Sequence, residues 1–277
     1  MVSQVNEMNT RLHKVLNGKF RRGLAGALRV DLFRGISSPF LFLSIIAITV
    51  VQLSGVFNEI QLTGETNVLY LYRRHKLDLI SLFLAAMPYS TAYCTEYRSR
   101  FARYSIQRSS AFDYAWAKMI SSSLLGCLAT FLGVSLFLFT LALRFPLMDK
   151  TDSMYEVFSD IGPYGSLLKG SHPGLYFLFM AANRSLMASV LAAIATASSA
   201  FIPNLFVVLS SPIISYYFVM HALPMGLWNP YDVYRAINIG VGGPLTSMLY
   251  AIFFAMAWIY LLGWIFYWGV KRRIENG

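Results

Sequence analysis

Long apolar stretches alternate with short polar ones along most of this chain. A membrane-crossing helix needs about 20 mostly apolar residues to cover roughly 30 Å of hydrocarbon. Six stretches are read as spans on that basis: residues 38–57, 77–94, 120–143, 174–200, 201–223 and 245–270. The second opens on Asp78, the fourth is interrupted by Asn183 and Arg184, and Pro203 marks a tight turn between the fourth and fifth. Ahead of them Leu12, Leu16, Phe20, Leu24, Leu28 and Leu32 recur every four residues, with basic side chains around the remaining circumference. This predicts an amphipathic interfacial helix over residues 8–37, which Gly35 and Pro39 allow to bend up into the first span.

The expected fold class is therefore all-α: one polytopic transmembrane domain, residues 1–277, with six helices and an N-terminal elbow helix. Its direction follows from the basic residues, which collect in cytoplasmic loops. An inside N-terminus groups Arg11, Lys14, Lys19, Arg21, Arg22, Arg29 and Arg34 with those of segment 95–118 and with Lys271, Arg272 and Arg273. That is about twice the number left outside, which include a cluster at Arg73, Arg74 and Lys76 that can snorkel to outer headgroups. Both termini are expected in the cytoplasm. Outside, segment 144–173 leans acidic, and 224–244, with Trp228, Tyr231 and Tyr234, suits a short helix at the interface.

Composition agrees with lipid as the solvent. Hydrophobic residues make up 56% of the 277 and charged residues only 13%, about half the usual share in soluble proteins. The net charge of +10 is read as facing anionic lipid and cytoplasm, with no nucleic-acid partner. Cys94 and Cys127 carry no metal-type spacing and predict neither a disulfide nor a zinc site. The first apolar run begins only near residue 38, after a basic stretch, so no cleavable signal peptide is expected.

Chemistry-bearing motifs are missing. There is no G-x-x-x-x-G-K-[ST] loop, no H-E-x-x-H and no G-x-S-x-G elbow, so no enzymatic activity is expected. A proton relay needs buried acids or histidines, and only Asp78 and His221 come near a span, each at an end. Arg184 is the one basic residue that falls within a span, either on a translocation path with Asn183 or at the outer surface on a separate interfacial piece. Ala188, Ala192, Thr196 and Ala200 form a ladder of small residues that favours close helix packing. What remains is the polar, arginine-rich segment 95–118, with Arg98, Arg100, Arg103, Arg108 and Lys118 against only Glu96 and Asp113.

Two stretches resemble a known family. ALRVDLFRGISSPFLFLSII, residues 27–46, resembles the start of ABC-2 type permeases, the membrane subunits of bacterial ABC exporters. EYRSRFARYSIQRSSAFDYAWAKMI, residues 96–120, resembles that family's loop after the second span, with Glu96, Tyr97, Arg98, Arg103, Arg108 and Lys118 at the matching places. Ser99-Arg100-Phe101 stands where the family often has Gly-Thr, and Arg108-Ser109-Ser110 where it has Pro before Ser-Arg. The resemblance implies a multi-pass permease of a bacterial plasma membrane, dimeric with a second copy or a similar chain, above two ABC ATPase subunits that bind the ATP and Mg. This chain would need no cofactor of its own. Segment 95–118 would then be the cytoplasmic coupling segment, with Glu96, Tyr97, Arg98, Phe101, Arg103 and Arg108 engaging the ATPase and Phe101, Tyr104 and Ile106 filling an apolar pocket there. The cargo expected is a hydrophobic or amphipathic molecule, a peptide or drug-like compound, with a glycan also open. The other class is a non-transporting scaffold or sensor whose basic loop binds a cytoplasmic partner.

Overall fold

A computed structural model of the chain describes residues 23–63, 67–74, 78–149, 153–160, 162–222, 226, 229, 233–234 and 242–275. Among the described residues every regular element is helical. α1 covers residues 23–36. α2 is Pro39–Thr63, α3 Val68–Arg74, α4 Asp78–Ala85, α5 Ala92–Arg98, α6 Phe101–Arg108 and α7 Ala111–Ala142. α8 is Ser153–Asp160, α9 Gly165–Lys169, α10 Pro173–Phe201, α11 Leu205–Ala222 and α12 Pro244–Glu275.

Four of these are long and apolar enough to cross a membrane: Pro39–Gln61, Ala111–Ala142, Pro173–Phe201 and Pro244–Glu275. The apolar part of α11, Leu205–Val219, is shorter, and follows an extended link through Pro203 where the turn was expected. The second predicted span is not one rod. α4 and α5 are separated by turns over residues 86–91, where Pro88 lacks an N–H and pushes Met87 away from helical geometry. Turn bonds Ala86 N to Phe83 O (3.1 Å) and Ser90 N to Ala86 O (3.3 Å) carry the backbone through the break. The Ser90 hydroxyl lies 2.9 Å from that of Ser122 and donates to Ala192 O at 3.2 Å, so the buried turn is tied to α7 and α10.

α7 and α10 form the centre. A Cβ on Gly126 of α7 would stand 2.8 Å from Ala192 Cβ and 3.0 Å from Ala85 O, so only glycine permits this approach. The small-residue ladder thus packs within the chain: Ala188 and Ala192 face Gly126, Thr196 Oγ1 donates to Ser122 Oγ at 2.7 Å, and Ala200 faces Gly269 of α12. Two cores flank this contact. One lies at the C-terminal end of α7, where Phe137 and Leu141 meet Tyr72, Phe158, Tyr164 and Phe177 under a cap of α3, α8 and α9. The other joins the first part of α7 to α10 and α12 through Tyr93, Tyr114, Met119, Phe254 and Phe266. Phe112 and Trp116 of α7 add an aromatic cluster with Tyr260, Trp264 and Tyr267 of α12, one turn before Lys271. Outward faces of α2 and α12 are apolar, as lipid requires: Phe42, Ile46 and Val50 on one, Leu249, Phe253 and Met256 on the other, all exposed.

α7 begins well before residue 120. Ser110 is its N-cap, accepting from Asp113 N at 3.0 Å, a bond that fixes the start of the helix there. Residues 8–22 of the expected elbow helix, with Leu12, Leu16 and Phe20, lie outside the described residues, as does most of 224–244. In the described part, Leu24, Leu28 and Leu32 are half-buried, while Val30, Phe33 and Ile36 form an exposed apolar row at three-residue spacing.

Candidate functional site

At the N-terminal end of α7 four elements place charged and phenolic groups around one lysine. Tyr114 and Lys118, one helical turn apart, share a face of α7. α1 supplies Asp31 and Arg34, α5 supplies Glu96, and the proline-broken turn supplies Tyr89. Lys118 is 2% exposed, Asp31 6% and Glu96 8%. An ammonium has three N–H groups, and here Lys118 donates to Asp31 Oδ1 at 2.9 Å, Glu96 Oε1 at 2.7 Å and Tyr89 OH at 3.0 Å. Its Nζ also stands 5.0 Å from the Tyr89 ring centre and 5.6 Å from that of Tyr114.

The carboxylates are held as fully. Asp31 Oδ1 accepts from Tyr89 OH at 2.6 Å as well as from Lys118. Glu96 Oε2 accepts from Tyr114 OH at 2.7 Å, and its Oε1 takes a second donor, Arg34 Nη1, at 3.1 Å. Taking ions out of water costs several kcal/mol each, and only geometry of this completeness offsets it. The node therefore pins α1, the turn, α5 and α7 to one another. Asp113 is also buried but stands apart: its Oδ1 has no hydrogen-bond partner among the described residues, and its Oδ2 faces the start of α1 at Gly23. Among the described residues no group of His, Cys, Asp and Glu is placed to hold a metal ion, and Cys94 and Cys127 are both free.

The residues that the sequence assigns to the coupling segment divide between this node and the surface. Glu96 and Lys118 belong to the buried node. Tyr97 is exposed, with the Arg273 guanidinium 5.0 Å from its ring centre; Arg273 also donates to Phe201 O at the end of α10. Arg98 and Arg103 are exposed. Arg100, with φ 61°, reverses the chain between α5 and α6 in a left-handed conformation that costs a non-glycine residue about 1–2 kcal/mol. On α6, Phe101 (46% exposed), Tyr104 (65%) and the exposed Arg108 form an outward face, and Arg34 stacks 5.5 Å from the Phe101 ring. Ile106, expected beside those aromatics, turns inward onto the core around Tyr93.

Asn183 and Arg184 are elsewhere. Asn183, 1% exposed, donates through Nδ2 to Val233 O (3.1 Å) and Tyr234 O (3.2 Å), binding the segment before α12 to α10. The Arg184 guanidinium lies 5.1 Å from the ring of Tyr72 in α3.

Asp31, Tyr89 and Tyr114 carry the node and had no role in the sequence reading. One signal was present: Asp31 is the single acid in the basic stretch 8–37. Tyr89 depended on a helix break inside a stretch read as one span, marked only by Pro88 and the polar pair Ser90-Thr91.

Among the described residues the fold is helical, with four helices long and apolar enough to span a bilayer, the character of a membrane protein, and a buried ionic joint at the start of α7. No protein-family model, no curated protein and no solved structure matches the chain.

Proposed function

We propose that the chain is the permease subunit of an ATP-driven exporter of the ABC-2 type, moving a hydrophobic or amphipathic cargo with energy from a separate ATPase. The observation that carries this reading is α6: a short basic helix that leaves Phe101 and Tyr104 exposed while its base is anchored by the Glu96–Lys118–Asp31 node. Aromatic and arginine side chains on a firmly held element are the composition of binding hot spots.

The mechanics follow from the node. An ATPase gripping α6 pushes on α5 through the reversal at Arg100, and Glu96 on α5 is bonded directly to α7 and α1. α7 is close-packed against α10 at Gly126, so displacement passes upward as rigid-body movement rather than dissipating in soft contacts. The resemblance of residues 27–46 and 96–120 to ABC-2 permeases supplies the direction, with α6 and both termini in the cytoplasm.

The test is affinity capture of the tagged chain from native membranes. The expected result is co-purification of an ABC ATPase whose association is lost in Phe101→Asp while the chain remains folded. Capture with no nucleotide-binding subunit at all would overturn the permease reading in favour of the scaffold or sensor.

A further inference from the structure

Between α1 and α6, above the ion node, lies a cavity of about 590 Å³, a size typical of small-molecule sites. Its walls are Gly26 and Val30 of α1, Arg34 at its edge, and Phe101, Tyr104 and Arg108 of α6. We propose that it holds an anionic phospholipid of the inner leaflet, with the phosphate between Arg34 and Arg108 and the acyl chains along α1. This rests on the reading above for the sidedness of α1 and α6, and it makes Phe101, Tyr104 and Arg108 a surface that the lipid shares with the docking ATPase.

Charge is the first argument. Asp31 and Glu96 also border the cavity, but their oxygens are committed to Lys118, Tyr89, Tyr114 and Arg34. Arg34 spends one N–H on Glu96 and its side chain stays 51% exposed, leaving most of its five donors unspent. Arg108 is exposed and forms no ion pair among the described residues. The uncommitted charge in the cavity is thus cationic, and a guanidinium pair suits phosphate.

Continuity with lipid is the second. Val30 both lines the cavity and begins the exposed row that continues through Phe33 (71% exposed) and Ile36 (49%). A ligand in the cavity therefore meets Arg34 and Arg108 in the cavity wall and, through Val30, an exposed apolar row beside them on α1. That describes a lipid better than a free phosphate. The third is room: a Cβ added at Gly26 would meet nothing within 4 Å.

The experiment is native mass spectrometry of the full chain purified alone, offered dioleoyl phosphatidylglycerol, dioleoyl phosphatidylcholine or soluble glycerol 3-phosphate. Phosphatidylglycerol is expected to be retained in preference, with Arg108→Gln and the cavity-filling Gly26→Phe each lowering retention about fivefold, one basic contact's worth. Arg98→Gln, outside the cavity, should leave retention unchanged. Equal retention of phosphatidylcholine, an equal loss in Arg98→Gln, or displacement of the lipid by glycerol 3-phosphate would each overturn the proposal. Thermal unfolding of every variant separates lost binding from lost fold. No ATPase is in the sample, so a negative result leaves the permease reading standing, and failed ATPase capture removes the assignment to the inner leaflet but not the anionic-lipid binding read here.

Discussion

Lys118 donates to Glu96 across 2.7 Å at a place where both residues are buried. Twenty-two positions separate them in the chain, and the intervening α6 forms a loop closed by this bond. Lys118→Met would leave Asp31 as a buried carboxylate without its cation, beside Glu96, which keeps only the half-exposed Arg34. Breaking a buried pair in this way costs about 3–5 kcal/mol. Thermal unfolding in detergent should show the loss, and Lys118→Met with Glu96→Gln should lose less than the two single changes added together. Wild-type stability in Lys118→Met would mean that the node does not hold these elements.

Phe101 is the surface counterpart of that node. With Phe101 half-exposed on α6, Phe101→Asp should change the stability of the isolated chain by no more than about 0.5 kcal/mol. Capture of the ATPase should fall by tenfold or more, on the order of one hot-spot side chain. Arg103→Glu is expected to act in the same direction by reversing charge on the docking face. Transport and ATPase assembly that survive both changes would remove α6 from the coupling role.

The apolar stretches could be read as helices because lipid imposes length and composition together, and α2, α7, α10 and α12 all lie on predicted spans. The break at residues 86–91 was hidden inside a predicted span, where Pro88 and the polar pair Ser90-Thr91 were its only marks. Composition also misplaced Glu96 and Lys118. Both looked like members of an exposed polar loop, but a charge is buried or exposed according to its partners, and Asp31 and Tyr89 come from distant parts of the chain. The small-residue ladder, by contrast, was readable, since close approach demands small side chains wherever the partner helix lies.

Asn183 should behave as a fastener. Its two donor bonds hold the carbonyls of Val233 and Tyr234, and Asn183→Leu would leave both without their donor. Buried unsatisfied groups cost about 1–3 kcal/mol, so the melting temperature should drop measurably. Total transport should then fall only as far as folding does, and transport per folded molecule should stay unchanged. A loss of transport at unchanged stability would return Asn183 to the translocation path, and Arg184→Ala tests the neighbouring position by the same comparison.

The contact of α7 with α10 yields the sharpest packing test. Gly126→Ala would bring a methyl group to 2.8 Å from Ala192 Cβ and 3.0 Å from Ala85 O. Overpacking of this kind costs about 1–3 kcal/mol. Adding Ala192→Gly removes the first clash but not the second, so the double variant should recover part of the loss. Gly174→Ala supplies the control, because a Cβ there meets nothing within 4 Å, and replacing an exposed helical glycine stabilises by about 0.5–1 kcal/mol. Detergent unfolding of the three variants should therefore rank Gly174→Ala highest, the double variant next and Gly126→Ala lowest. A Gly126→Ala variant as stable as Gly174→Ala would show that α7 and α10 do not meet this closely, and the route from the ion node into the core would have to run elsewhere.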